Sequence, residues 1–250
     1  MTRVALITGA TDGVGKATAR KLLSEGWEVV IVGRNPERCD STVLELRSAG
    51  EAVSALVGDL TLMEDVSRIA GEFLSCHERL DFLMLNANAI IQTRVLTRES
   101  FESNFAIGHL GRALLLLRLQ DVLEATPGAQ VMTVVGLNTE RPDLDDLTMA
   151  TGYSAQAALG GWQWVNQVFI GEFNRRSPVL ANIYMPGLVR TKILVNEPQP
   201  MRAIVRIMNL IIASRSTRRL TTCSRRRRLS SPPARKAEHS SGARSASRSI

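Results

Sequence analysis

The 250-residue chain predicts an α/β fold: a single doubly wound parallel sheet with helices on both faces. Two observations carry the prediction. Apolar, β-branched runs alternate with amphipathic stretches of helical period, and successive βα units of this kind build parallel sheets. A glycine-rich turn, TGATDGVGK at 8–16, joins the first run to the first helix, where open α/β sheets bind their ligands.

The elements follow in order. VALIT (4–8) reads as a buried strand, and 14–26 places small and apolar residues at helical spacing before ending on Gly26. WEVVIVG (27–33) is the second strand. Pro36 opens a helix to about position 48, with Gly50 beyond it. AVSALV (52–57) is the third strand and 63–74 the next helix. LDFLMLN (80–86) is the fourth strand, and one long helix is expected over 99–123. AQVMTVV (129–135), a helix over 153–174 and VLANIYM (179–185) complete the series.

After Pro198 the text changes. MRAIVRIMNLIIA (201–213) still has the period of an amphipathic helix. From Ser214 Arg and Ser dominate. That composition buries too little surface to offset its ordering entropy, so a disordered tail over 214–250 is expected after a domain spanning 1–213. The tail holds ten Arg and one Lys against one Glu. Its net charge of +10 exceeds the chain's total of +7, which leaves the first 213 residues at −3. The four Arg at 225–228 could meet nucleic acid or an acidic surface. A frameshift in GC-rich coding DNA gives the same texture and is the preferred reading, so nucleic acid is not an expected partner. It would leave the sheet without its last strand.

Apolar residues make up 44 % of the chain, ordinary for a globular domain. No run of about 18 apolar residues exists, so no membrane span is expected. The N-terminus is too short for a signal peptide and runs into the glycine turn. Cys39, Cys76 and Cys223 lack CxxC spacing, which argues against a disulfide framework or a metal site and for a reducing cytoplasm.

In TGATDGVGK, Gly9, Gly13 and Gly15 permit a tight turn, and the helix that follows offers its first N–H groups and its dipole to an anion such as pyrophosphate. Three further features stand at the ends of later strands, the Asp59-Leu60 pair, LNANA (85–89) and PGLVRT (186–191), and Tyr153 stands where the chain enters a long helix. Together these motifs make the chain resemble the short-chain dehydrogenase/reductase family over about residues 3–195.

The resemblance implies a Rossmann-like domain, a nicotinamide dinucleotide, a small-molecule substrate and a homodimer or homotetramer. It places the cofactor along Thr8, Gly9, Thr11, Gly13, Val14 and Gly15. Asp59 and Leu60 would meet the adenine, Asn86 the cleft wall, and Pro186, Gly187 and Thr191 the nicotinamide amide. LNANA carries Asn88 where the family usually has Gly. Asn tolerates positive φ better than most residues, so the turn is expected to survive. An acid at the end of strand two would bond a ribose 2′-OH. Gly33-Arg34 stand there instead, and Arg34 can pair with a 2′-phosphate, with Arg38 or Lys16 assisting. NADP(H) is therefore expected over NAD(H).

The family's reduction uses four residues. A Tyr protonates the carbonyl oxygen, and a Lys four residues on lowers the Tyr pKa and holds the nicotinamide ribose. A Ser at the end of strand five polarises the carbonyl, and an Asn on the preceding long helix completes a proton relay. Tyr153 matches the first, but Ala157, Gly136 and Gly108 stand at the other three places. Asn104, one helical turn before Gly108, and Asn138, just after Gly136, are candidate helpers. Thr139, Lys192 and His109 are weaker ones. Trp162 and Trp164 lie two apart on one helix, so one is expected in the core and one at an interface or pocket.

The expected function is an NADP-dependent ketoreductase acting on a small or polyketide-like metabolite. The alternatives are a non-redox relative (cyclase, dehydratase or isomerase) and an NADP-binding pseudoenzyme.

Overall fold

The computed structural model describes residues 1–136 and 140–186. Its strands are β1 Val4–Thr8, β2 Glu28–Gly33, β3 Val53–Val57, β4 Phe82–Leu85, β5 Gln130–Val134 and β6 Leu180–Tyr184. They form one parallel sheet in the order β3-β2-β1-β4-β5-β6. Its helices are α1 Gly13–Ser24, α2 Pro36–Leu46, α3 Met63–Cys76, α4 Ser103–Phe105, α5 Gly111–Arg118, α6 Gln120–Ala125 and α7 Ala155–Arg176, with a π turn at Ala106–Leu110 between α4 and α5. This is the predicted doubly wound, Rossmann-like arrangement.

Side chains of a strand alternate between faces, and β1 shows what that does. Val4 and Leu6 join Ile69, Phe73, Leu115 and Ile170 on the α3, α5 and α7 side. Ala5 and Ile7 join Ala19, Leu23 and Leu46 on the α1 and α2 side. All five residues of β1 are buried, as a central strand covered on both faces requires. Short polar residues start the helices. The Asp12 carboxylate accepts from Gly13 N at 2.8 Å, Asn35 Oδ1 from Arg38 N at 2.8 Å, and Ser154 Oγ from Ala157 N at 3.1 Å.

The helix expected over 99–123 differs. Ser100 sits at φ 65° in a turn, and α4 starts only at Ser103. There the Glu102 carboxylate caps Asn104 N at 2.9 Å and Phe105 N at 2.8 Å. The helix then bulges through the π turn and breaks again at Leu119. Gly108 and Gly111 permit this, because each meets a neighbour where a side chain would begin. A Cβ on Gly108 would stand 2.5 Å from the Trp162 indole, and one on Gly111 would stand 2.3 Å from Leu60 O. The run LLLL fits any helical phase, so periodicity does not register an inserted residue.

The turn after β4 also differs from expectation. Asn88 does not take positive φ. The non-glycine residues that do, among those described, are Ser100 and Met149. Asn88 Oδ1 instead accepts from the next N–H, that of Ala89, at 2.9 Å, in a segment with no left-handed residue.

Among the described residues no helix is long and apolar enough to cross a membrane. Asn138, Thr139, Gly187, Thr191, Lys192, the helix expected over 201–213, the absence of a last strand and the tail over 214–250 lie outside the described residues.

Candidate active site

β1 neighbours β2 on one side and β4 on the other, so the chain reverses direction across the sheet there. Open α/β sheets bind ligands at such a point, outside the strand carboxyl ends. Thr8 joins the two sides. Its Oγ1 donates to Met84 O at 3.2 Å and accepts from the N–H groups of Asn86 at 2.9 Å and Ala87 at 3.0 Å. Asn86 Nδ2 returns two bonds, to Thr8 O and Gly9 O, both 3.1 Å. Asn86 therefore fixes the crevice wall from within.

Gly9 has φ 66°, and a Cβ there would stand 2.7 Å from Ala87 Cα. One on Gly15 would stand 2.7 Å from Asn86 Nδ2. The two loops touch backbone to backbone, which only glycine allows. The N-terminus of α1 opens on this loop, with Val14 packed partly into the α1 and α2 core. The residues fit a dinucleotide: a bare glycine cradle leads into a helix N-terminus that favours an anion.

At the far end of the crevice, Gly33 has no room for a side chain. A Cβ would stand 2.7 Å from Cys39 Sγ and 2.8 Å from Thr11 Cγ2. Both neighbours are short, and Cys39 is fully buried, so neither moves aside easily. Arg34 follows, its side chain 75 % exposed, with Nη1 4.0 Å from Asp59 Oδ2. Asp59 Oδ1 accepts from Thr61 N and Thr61 Oγ1 at 3.0 and 2.8 Å, and Leu60 turns into the core. Of the two expected assistants, Arg38 lies 3.6 Å from Asp12, at the mouth of the glycine loop. Lys16 is held 2.7 Å from Glu45 on α2, so it has a carboxylate partner already.

The reaction centre is built differently from the cofactor half. The Tyr153 hydroxyl donates to Ile91 O at 2.7 Å and accepts from Asn104 Nδ2 at 2.6 Å. Asn104 is fully buried and also brackets Ile91, accepting from its N–H and donating to its C=O, each at 2.9 Å. Tyr153 and Asn104 are thus brought together, with Tyr153's proton directed at a main-chain carbonyl. Burial, and then the negative charge of Glu102, push the Tyr153 pKa above its ordinary value. A lysine at 157 would act in the opposite direction.

Two of the vacant positions are filled from α7. The Trp162 indole lies on Gly108, and the Gln163 amide lies where a side chain on Gly136 would begin, 2.9 Å from that Cβ position. Trp162 is 1 % exposed, and neither its Nε1 nor Gln163 Oε1 has a hydrogen-bond partner among the described residues. Trp162 is the core residue of the expected pair, while Trp164 is half-buried under the Arg141 guanidinium. His109 has its Nδ1 2.9 Å from Asn166 Oδ1 and its ring against Phe105 and Phe169. Burial lowers its pKa. Asn166 Nδ2 also donates to Gly108 O at 2.8 Å, which satisfies a carbonyl of the π turn.

Sequence reasoning missed Arg112. It is buried and ties the ends of β4 and β5 together, donating to Ala87 O at 2.8 Å and Val134 O at 2.6 Å. Its guanidinium lies 5.3 Å from the Trp162 ring centroid, and burial lowers its pKa to about 9. The signal was available: Arg112 shares the helical phase of buried Leu115, Leu116 and Leu119.

A cavity of about 260 Å³ opens beside the centre, between α7, the Glu102–Phe105 turn and the loop 140–151. Ala157 lines it, with Trp162 and Thr151.

The model of the short chain dehydrogenase family matches residues 3–201. Over 195 residues the chain is 35 % identical to "Putative daunorubicin C-13 ketoreductase DnrU" of Streptomyces sp. (strain C5), which covers 76 % of this chain and 67 % of that protein. It is 29 % identical to human retinol dehydrogenase 13, over 76 % of this chain and 60 % of that one. The chain thus spans roughly three-fifths to two-thirds of the length of these relatives. A metagenomic short-chain oxidoreductase solved in complex with NADP superposes with a TM-score of 0.59 at 25 % identity, covering 75 % of this chain and 83 % of that one. An alcohol dehydrogenase from Thermococcus sibiricus shares the fold, with a TM-score of 0.64 at 22 % identity, covering 85 % of this chain and 91 % of that one. With the glycine loop, strand order and Tyr153 already in place, the matched span establishes that the chain belongs to the short-chain dehydrogenase family, whose members bind a nicotinamide cofactor.

Proposed function

We propose that the chain is an NADP(H)-binding member of its family that no longer runs proton-relayed carbonyl reduction. The observation that carries this reading is the pair Trp162 and Gln163, which fills the space of two of the missing catalytic side chains. The glycine loop from Thr8 to Gly15, with Thr11 and Val14, would hold the pyrophosphate. Asp59 and Leu60 would border the adenine, and Pro186 the nicotinamide, with Gly187 and Thr191 beyond the described residues. Arg34 supports NADP(H) over NAD(H): it offers an exposed guanidinium to a 2′-phosphate, beside a Gly33 that leaves no room for the acid a 2′-OH would need.

A bound nicotinamide would supply a hydride. The chain must then deliver a proton to the carbonyl oxygen, and Tyr153 is the candidate donor. Its proton is directed at Ile91 O, no lysine follows at 157, and Glu102 opposes the phenolate that proton donation leaves. Acid–base assistance is typically worth about 10²–10⁴-fold. A carbonyl-polarising donor is worth about 10²–10³, and the two do not simply multiply.

The test is NADPH fluorescence on binding, followed by NADPH oxidation with quinones and aromatic ketones. Binding without oxidation is expected. A second reading, an NADP-dependent ketoreductase of a small or polyketide-like carbonyl, draws on the likeness to the ketoreductase relative and on the retained Tyr153. It requires oxidation that disappears in Tyr153→Phe, and that result would overturn the first reading. Product formed without cofactor would point to a cyclase, dehydratase or isomerase. A cytoplasmic homodimer or homotetramer accompanies the proposal, and gel filtration of the full chain reads its size.

A further inference from the structure

Arg112 is a buried cation without a counter-charge. Among the described residues it is the only Arg or Lys that is buried. No carboxylate among those residues forms an ion pair with it. Its guanidinium donates to two neutral carbonyls, Ala87 O at 2.8 Å and Val134 O at 2.6 Å, and its Nε has no acceptor among the described residues. Burial lowers its pKa to about 9, which leaves it charged at neutral pH. Taking such a charge out of water is costly unless an opposite charge answers it.

Strand order decides which half of a dinucleotide lies nearest to it. Arg34 follows β2, the glycine loop follows β1, and Arg112 bonds the ends of β4 and β5, in a sheet ordered β3-β2-β1-β4-β5-β6. A dinucleotide with its 2′-phosphate at Arg34 and its pyrophosphate at the glycine loop therefore extends its nicotinamide toward the β4 and β5 ends. Ala87 belongs to the crevice wall: Thr8 Oγ1 holds its N–H at 3.0 Å, and its Cα stands 2.7 Å from where a Cβ on Gly9 would begin. Arg112 meets that wall from the α5 side. The buried carboxylate beside Tyr153, Glu102, sits instead on the turn that lines the cavity, where it accepts from Asn104 N and Phe105 N.

We infer that Arg112 makes the site discriminate between the two redox forms of its cofactor, holding the neutral dihydronicotinamide of NADPH more tightly than the cationic ring of NADP+. The inference rests on the cofactor reading above. The guanidinium repels a positive ring across a wall that admits little water, and it leaves a neutral ring unopposed. A unit charge within about 10 Å, at an effective dielectric constant of about 20, changes such an equilibrium about tenfold or more. The same bias keeps the bound cofactor reduced, in line with binding without oxidation.

The test is isothermal titration of the full chain at neutral pH with NADPH, NADP+ and 2′-phospho-ADP-ribose, which lacks the nicotinamide. NADPH should bind about tenfold or more tightly than NADP+. Arg112→Gln and Arg112→Met, which remove the charge, should bring the ratio of the two dissociation constants toward one. Arg112→Lys, which keeps the charge, should retain it. Binding of 2′-phospho-ADP-ribose should be alike in all four proteins. Near-UV circular dichroism checks the fold of each variant, and a merely structural role would move NADPH and NADP+ together and leave their ratio alone. A ratio near one in the unsubstituted chain overturns the inference whatever the variants do. Tighter binding of NADP+ overturns it too, because Glu102 would then control the field. So does a preference that survives in folded Arg112→Gln or Arg112→Met. Failure of all three nucleotides to bind overturns the cofactor reading as well, which separates the two failures.

Discussion

The indole of Trp162 rests on the α-carbon of Gly108, so close that a side chain on Gly108 would begin 2.5 Å from it. The family resemblance places the relay asparagine at Gly108, and Trp162 fills the space a side chain there would need. The small residue at 108 and the bulk at 162 are therefore one packing arrangement, whereas Gly136 meets only the flexible end of Gln163.

Restoring the relay residue alone should fail. Gly108→Asn overpacks against Trp162, and overpacking of this kind costs about 1–3 kcal/mol. Combining it with Trp162→Leu should recover part of that loss, a coupling that a double-mutant cycle in urea measures. Additive effects would show that the two positions do not share the space.

Tyr153 should titrate late. The chain has two tyrosines, Tyr153 and Tyr184, so in Tyr184→Phe the phenolate absorbance reports Tyr153 alone. Burial and Glu102 raise its pKa in the folded state. Its midpoint is therefore expected above about 10. The linked stability is fully present below the unfolded tyrosine's pKa and is lost as pH rises through the folded one. Ala157→Lys should pull the midpoint down. A midpoint at or below the ordinary value in Tyr184→Phe would contradict the burial and charge around this hydroxyl.

Asn104 should matter more to stability than Tyr153. Asn104→Ala removes four hydrogen bonds of a fully buried side chain and leaves the Ile91 N–H without its acceptor, while Tyr153 still donates to Ile91 O. Stranded buried groups cost about 1–3 kcal/mol, whereas removing one hydrogen-bonding hydroxyl costs about 1. Urea midpoints at constant m-value give the order. The reverse order would mean that Tyr153 does more than brace the loop.

Cofactor choice should depend on Arg34 and resist change at Gly33. Arg34→Ser is expected to weaken NADPH binding about tenfold or more, as loss of a charged hydrogen bond does, and to leave NADH binding unmoved. Gly33→Asp should lower the melting temperature without creating an NADH site, because its side chain begins against Cys39 and Thr11. A stable Gly33→Asp protein that binds NADH would show that this strand end can yield.

Alternation of apolar runs with helical stretches was enough to place the six strands of the described residues, and Thr8, Gly9, Gly15 and Asn86 meet in one crevice because they follow the ends of two neighbouring strands the pattern had located. The vacancies at Ala157, Gly136 and Gly108 were equally readable, since register between flanking motifs is a local property of the chain. What filled them was not. Trp162 reaches Gly108 from 54 positions away along the chain, through a π turn that apolar periodicity does not record. The direction of Tyr153's proton and the bonds of the buried Arg112 likewise join different elements. The sequence alone determined where the strands lie and which residue types stand at the expected catalytic places, because both are set by residue type and spacing. The tertiary structure decided that the absent groups had been packed over, because occupancy of space depends on which distant side chains the fold brings together.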